Sequence, residues 1–182
     1  MENRFSNAIK LRRLVLDAVF IALFVVLGVV LAFKTPWFEV SLAGLPILLC
    51  AYFYGPVDAL IVATIGSFIE QLLTPYGLSV TTPLWMAPVM LQAAVAALGF
   101  FVVRRSGKPW LILAVILVSE LVLTFANTAA LYLDGYIWGY AVKALHLLLP
   151  TRLINGGVRM AISCILIPLL LRPLRTVVGK KK

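Results

Sequence analysis

The residues best equipped to do chemistry in this sequence are polar groups set inside long apolar runs. Arg152, Asn155 and Arg159 are spaced by three and four, so on a helix they share one face. The run before them carries Glu120, Thr124, Asn127 and Thr128, and the one before that carries Thr81, Thr82, Trp85 and Gln92. Glu70 and Gln71 close an earlier run. Polar and ionisable groups inside a membrane span cost a few kcal/mol, which makes them functional candidates by default. Arginines suit a carboxylate or phosphate, and Trp85 and Tyr76 have the faces to stack on a flat heterocycle. Gln71, Tyr76, Trp85, Asn127, Arg152, Asn155 and Arg159 are therefore expected to line a polar cleft. The bland alternatives are that the amides only join helices and that the aromatics belong to an interfacial belt.

Catalysis finds little support in the same inventory. There is one histidine, His146, with no HxxxH or HExxH partner, so it reads as an interface residue and not as a base or metal ligand. Gly-x-Ser-x-Gly is absent, and so is the G-x-x-x-x-G-K-[ST] phosphate loop, so any ATP must be hydrolysed by another chain. No catalytic residue, metal or cofactor is expected. Cys50 and Cys164 both sit in apolar runs without metal-ligand spacing and read as packed thiols. The net charge of +9 flanks apolar runs and does not stripe one face, which argues against nucleic acid as a partner.

The elements that must position these groups are membrane helices. Of 182 residues, 63% are hydrophobic and 13% charged, and mean hydropathy is +1.05. A soluble domain needs more polar surface than that. Runs and breakers give an all-α integral membrane protein of six transmembrane helices in a single membrane domain, 1–182. The spans fall at about 14–33, 40–55, 57–73, 83–103, 110–132 and 150–171. The basic start of the chain imitates a signal peptide, but the run after it lacks a small-x-small cleavage site and reads as a retained first span. The short second and third spans meet at Tyr54-Gly55-Pro56-Val57, a tight turn expected to make an αα-hairpin. The segment 137–149 has a helical apolar rhythm and is expected to lie along the surface as a short amphipathic helix.

Twelve of the sixteen Lys and Arg residues precede span one, join spans four and five, or follow span six. Excess positive charge marks the cytoplasmic side, so both termini are expected there. The opposite side carries the longer connections and Trp37, Tyr76, Tyr132, Tyr136, Trp138 and Tyr140. At about 1.5 Å per residue, Glu120 lies roughly 15 Å into span five and Arg159 roughly 18 Å into span six, both from the cytoplasmic end. The expected arrangement is a buried Glu120–Arg159 ion pair bracing the two spans below the cleft; the alternative is that Arg159 faces a ligand directly. Asp17 is expected to pair with Arg13, four residues earlier, or to cap the helix start.

In span one, Ala18 and Ala22 lie four apart on one face, and small residues at that spacing let another helix approach closely. A basic start followed by Ala18-x-x-x-Ala22-Leu23 resembles the substrate-binding S component of energy-coupling-factor (ECF) vitamin transporters. The stretch LAGLPILLCAYFYGPVDALIVATIGSFIEQLL at 42–73 is similar to that family's second and third helices, with a Gly-Pro turn and a small-residue-rich helix after it. The resemblance covers essentially the whole chain. Within the family, TPYGLSVTTPLW at 74–85 and the region Arg152 to Arg159 look most like the folate-type branch.

The resemblance implies a multi-pass protein of the cell membrane that captures a vitamin on its outward side. It implies that a transmembrane T component docks on the Ala18/Ala22 face and that two cytoplasmic ATPases drive transport. Folate, anionic and aromatic, would use both the stacking residues and an arginine at its glutamate tail; pantothenate and riboflavin are the alternatives on the same scaffold. The other classes weighed are an intramembrane enzyme, which the missing acid–base groups argue against, and a non-transporting scaffold of the rod-shape-determining type. A self-sufficient transporter lacks the inverted repeat it would need.

Overall fold

The computed structural model describes residues 2–34, 39–74, 77–139 and 142–178. Among them are six helices: α1 (Glu2–Val25), α2 (Gly44–Phe53), α3 (Pro56–Leu73), α4 (Thr82–Ser106), α5 (Trp110–Trp138) and α6 (Val142–Val178). Five of them contain segments long and apolar enough to cross a membrane. The sixth, α2, has 10 residues and reaches only about 15 Å, so it cannot span the hydrocarbon core alone. Its apolar residues run all round the helix because it is enclosed all round: Gly44 to Ala51 are all buried.

Helix α1 ends in a π-helical turn, Val26–Val30, where the Leu31 amide donates to the Val26 carbonyl at 2.9 Å. Beyond it Phe33–Lys34 pairs antiparallel with Glu39–Val40, a two-residue ribbon leading into α2. The α2–α3 hairpin forms at the expected place. Gly55 adopts φ 102°, a conformation that side chains oppose, and Pro56 opens α3 where a missing N–H costs nothing. Phe24, Ile47, Leu48, Cys50, Val62, Ala96, Phe100, Ile116 and Ile167 form a closed core around α2. Leu14, Phe101, Phe125 and Ile165 point outward from the bundle, as lipid-facing side chains do.

The two halves of the hairpin bring basic groups together at one end of the bundle. Arg13 on α1 grips Asp58 in the first turn of α3, with Nε donating at 2.7 and 2.9 Å. Arg104, in the last turn of α4, donates to the Ala51 and Tyr52 carbonyls at the end of α2. This corrects the expected Arg13–Asp17 contact. Side chains four apart on one helix can meet, but Asp58 offers Arg13 a fork-shaped carboxylate across the α1–α3 interface, and Asp17 is buried with Oδ1 unpartnered.

Helix α6 also begins earlier than expected. It runs unbroken through Pro150, Pro168 and Pro173, as prolines in membrane helices can when neighbouring groups satisfy the freed carbonyls. The segment 137–149 is thus not a helix of its own. Ile137 and Trp138 finish α5, which stops at Gly139 with φ 71°, and the helical residues from Val142 onward open α6. His146 lies there with its Nδ1 3.0 Å from the Tyr132 hydroxyl of α5.

Candidate ligand-binding cavity

The end of the bundle away from the basic cluster holds a cavity of about 810 Å³, within the range of small-molecule sites. Its walls come from the outer parts of α3, α4, α5 and α6, and its floor from the start of α2. On α5 the lining positions Leu123, Thr124, Asn127, Asp134 and Trp138 follow one helical face. On α6 the lining positions are Arg152, Asn155, Gly156 and Arg159, the three-and-four spacing seen in the sequence. Trp85 on α4 with Thr81 just before that helix, and Glu70 and Gln71 on α3 with Thr74 just after it, add to the wall.

Below the chamber a charged knot locks α4, α5 and α6 together. Arg159 Nε donates to Glu120 Oε2 at 2.7 Å, and its Nη2 donates to Thr124 Oγ1 at 3.1 Å. The other carboxylate oxygen of Glu120 accepts from Ser163 Oγ at 3.1 Å and from Gln92 Nε2 at 3.2 Å. Glu120 is fully buried while the Arg159 side chain keeps 17% of its surface, so the arginine belongs to both the knot and the cavity wall. Such a charge pair survives in a low dielectric only because its remaining hydrogen-bonding capacity is used. Gly44 makes room for it: a Cβ there would stand 3.0 Å from Gln92 Nε2 and 3.3 Å from Glu120 Oε1. Gly156 likewise lets α6 close on α5, where a Cβ would meet Thr124 Oγ1 at 2.6 Å.

Higher in the chamber, Arg152 Nη1 donates to the Asn127 carbonyl at 3.1 Å, and its guanidinium carbon lies 5.8 Å from the Trp85 ring centre. That geometry presents a held arginine beside an aromatic face, a combination fitted to a flat ligand bearing an acid.

Of the residues singled out in the sequence, Gln71, Trp85, Asn127, Arg152, Asn155 and Arg159 are brought together around this one cavity. Tyr76 lies outside the described residues. Ala18 and Ala22 are remote from the cavity and exposed on the outer side of α1, in a face shared with Leu14, Val15, Val19 and Leu23. Sequence reasoning gave Asp134 no role, and set Trp138 among the belt aromatics; both line the cavity. A lone acid near the end of span five, seven residues from Asn127, was the available signal for Asp134. No cluster of three or more metal-ligating acids, cysteines or histidines occurs among the described residues.

A helical bundle with lipid-type outer faces and a polar chamber open at one end is a membrane-embedded receptor for a small molecule. The comparisons with known proteins narrow the class. The family model of the substrate-specific component of ECF transporters matches residues 12–171. The chain belongs to that family: it is an integral membrane transport component, not an enzyme.

Two solved structures share the fold. One, described as the S component of a bacterial ECF transporter, superposes with a TM-score of 0.66 at 20% identity, covering 91% of this chain and 99% of that one. The other, FolT bound with folic acid, gives a TM-score of 0.62 at 18% identity, covering 93% of each chain. No curated protein matches the sequence.

Proposed function

We propose that this chain is the high-affinity vitamin-binding subunit of an ECF-type ABC importer in the cell membrane, and that its substrate is folate or a related anionic aromatic vitamin. The observation that carries this reading is the pairing of Arg152 with Trp85 in the cavity wall, 5.8 Å from guanidinium carbon to ring centre. The aromatic face suits a conjugated ring, and the guanidinium suits a carboxylate on the same molecule. The volume of about 810 Å³ leaves room for a vitamin of that size, and the fold shared with a folic-acid-binding protein adds support.

In this reading the cavity captures the vitamin on the outer side, and uptake needs the other components of the transporter: a transmembrane T component and two cytoplasmic ATPases. The T component seats against the exposed Ala18/Ala22 face of α1, where small side chains permit close helix approach.

Titration of the purified protein with folic acid, followed by tryptophan quenching, tests the substrate. Arg152→Ala and Trp85→Ala are each expected to weaken binding by about tenfold or more; unchanged affinity in both would sink this placement. Ala18→Leu and Ala22→Trp are expected to abolish uptake in cells while the purified variants bind folic acid as before. Loss of binding in those variants would remove the docking role.

A further inference from the structure

Among the described residues, four buried side-chain polar atoms lack a hydrogen-bond partner: Asp17 Oδ1, Gln92 Oε1, Asp134 Oδ1 and Asn155 Oδ1. Three of these four belong to residues lining the one cavity. All three are oxygens as placed, one from a carboxylate and two from amides. Buried polar groups are nearly always paired, so a cluster of unpaired polar groups around a chamber describes what the chamber is built to receive. Asp134, if ionised, offers only acceptors, while the amides of Gln92 and Asn155 offer an oxygen or, turned over, an NH₂ group.

Gln92 carries the sharpest information. An amide side chain can present either its oxygen or its NH₂ group, but here the choice is made by Glu120. The Glu120 carboxylate, ion-paired with Arg159, only accepts, and Gln92 Nε2 donates to its Oε1 at 3.2 Å. The carbonyl of Gln92 must then take the remaining direction. Gln92 has no solvent exposure and sits at the inner part of the chamber beside Gly44, whose position a Cβ would crowd. Asn155 adds a second amide from α6 one helical turn above Arg159.

We propose that Gln92, held in one orientation by Glu120, is a specificity-determining residue that accepts a hydrogen bond from an N–H donor at the deep end of the ligand. The ligand class is a nitrogen heterocycle bearing amino or ring N–H groups at one end and an acid at the other, the acid facing Arg152. Gln92 thus distinguishes a donor-bearing ring from an otherwise equal ring without the donor. A site with a committed buried acceptor rejects the analogue strongly because the acceptor is left unpaired. This inference rests on the folate-class reading above and assigns the orientation of the ring within it.

The test uses the full-length protein in detergent, with folic acid and its 2-desamino-2-methyl analogue as probes, on wild type and on Gln92→Met. Wild type is expected to bind the analogue about tenfold or more weakly. Gln92→Met is expected to lose affinity for folic acid and to bind the two probes about equally; its ligand-free melting temperature falls as well, because the donation to Glu120 Oε1 is lost, so the ratio of the two affinities is the deciding readout. A merely structural role would leave the discrimination between the two probes intact in Gln92→Met, and that result overturns the proposal. Equal binding of the two probes by wild type overturns it without any variant. Failure of wild type to bind folic acid at all removes the substrate reading first and this assignment with it.

Discussion

The molecule holds two arginine–carboxylate pairs that look alike and live in different surroundings. At the basic end, Arg13 reaches Asp58 with 53% of the arginine side chain exposed. In the middle of the bundle, Arg159 meets Glu120 with exposures of 17% and 0%. In the first pair only the arginine can turn to water and headgroups; Asp58 is buried, at 3% exposure, but it sits in the first turn of α3, where the helix dipole favours a negative charge. In the second pair Arg159 reaches only the cavity, and Glu120 has no substitute beyond Ser163 and Gln92. The same chemistry is thus a half-exposed clasp at one end and a keystone at the other.

Removing Glu120 tests that contrast with the largest expected effect. Glu120→Ala strands the Arg159 charge and should cost roughly 3–5 kcal/mol, read as a steep fall in the detergent melting temperature. The double variant Glu120→Ala/Arg159→Met should recover much of that loss, because an apolar replacement of both partners leaves no orphan charge. If the recovered protein still binds folic acid, Arg159 serves the knot alone; if it is stable and does not bind, Arg159 also contacts the vitamin.

Crowding the knot should have a middling effect. Gly156→Ala drives a methyl group against Thr124 and should destabilise by about 1–3 kcal/mol, in the same melting assay. Arg13→Ala should cost less than the loss of Glu120, at about 1–3 kcal/mol, because the buried Asp58 left behind keeps the favourable end of the α3 dipole. Raising the salt concentration should shrink that difference while leaving the Glu120 effect nearly unchanged, because exposed charges are screened and buried ones are not. Equal costs at both pairs, or equal salt sensitivity, would erase the distinction.

Local pattern made part of this legible beforehand. Apolar runs and the Gly55-Pro56 turn mark the helices, and the spacing of Arg152, Asn155 and Arg159 puts them on one face without knowledge of any neighbour. Equal depth from the basic end brings Glu120 and Arg159 to the same level. Where the partner comes from a distant helix, the pattern is silent. Arg13 has an acid four residues away at Asp17 and pairs instead with Asp58, forty-five positions on. Pro150 reads as a boundary, yet α6 passes through it. Asp134 and Gln92 acquire meaning only once four helices enclose a space, and the direction of the Gln92 amide only once Glu120 has its own partner.

The π turn at Val26–Val30 bears on the outer wall of α1 as well as on its course. Its hydrogen bond from Leu31 to Val26 spans one residue more than an α-helical one, so each position after it is rotated relative to the row below. A track of small side chains laid down at Ala18 and Ala22 therefore cannot continue on the same bearing past Val25. For the helix proposed to dock on that track, the regular α-helical surface of α1 extends only as far as Val25.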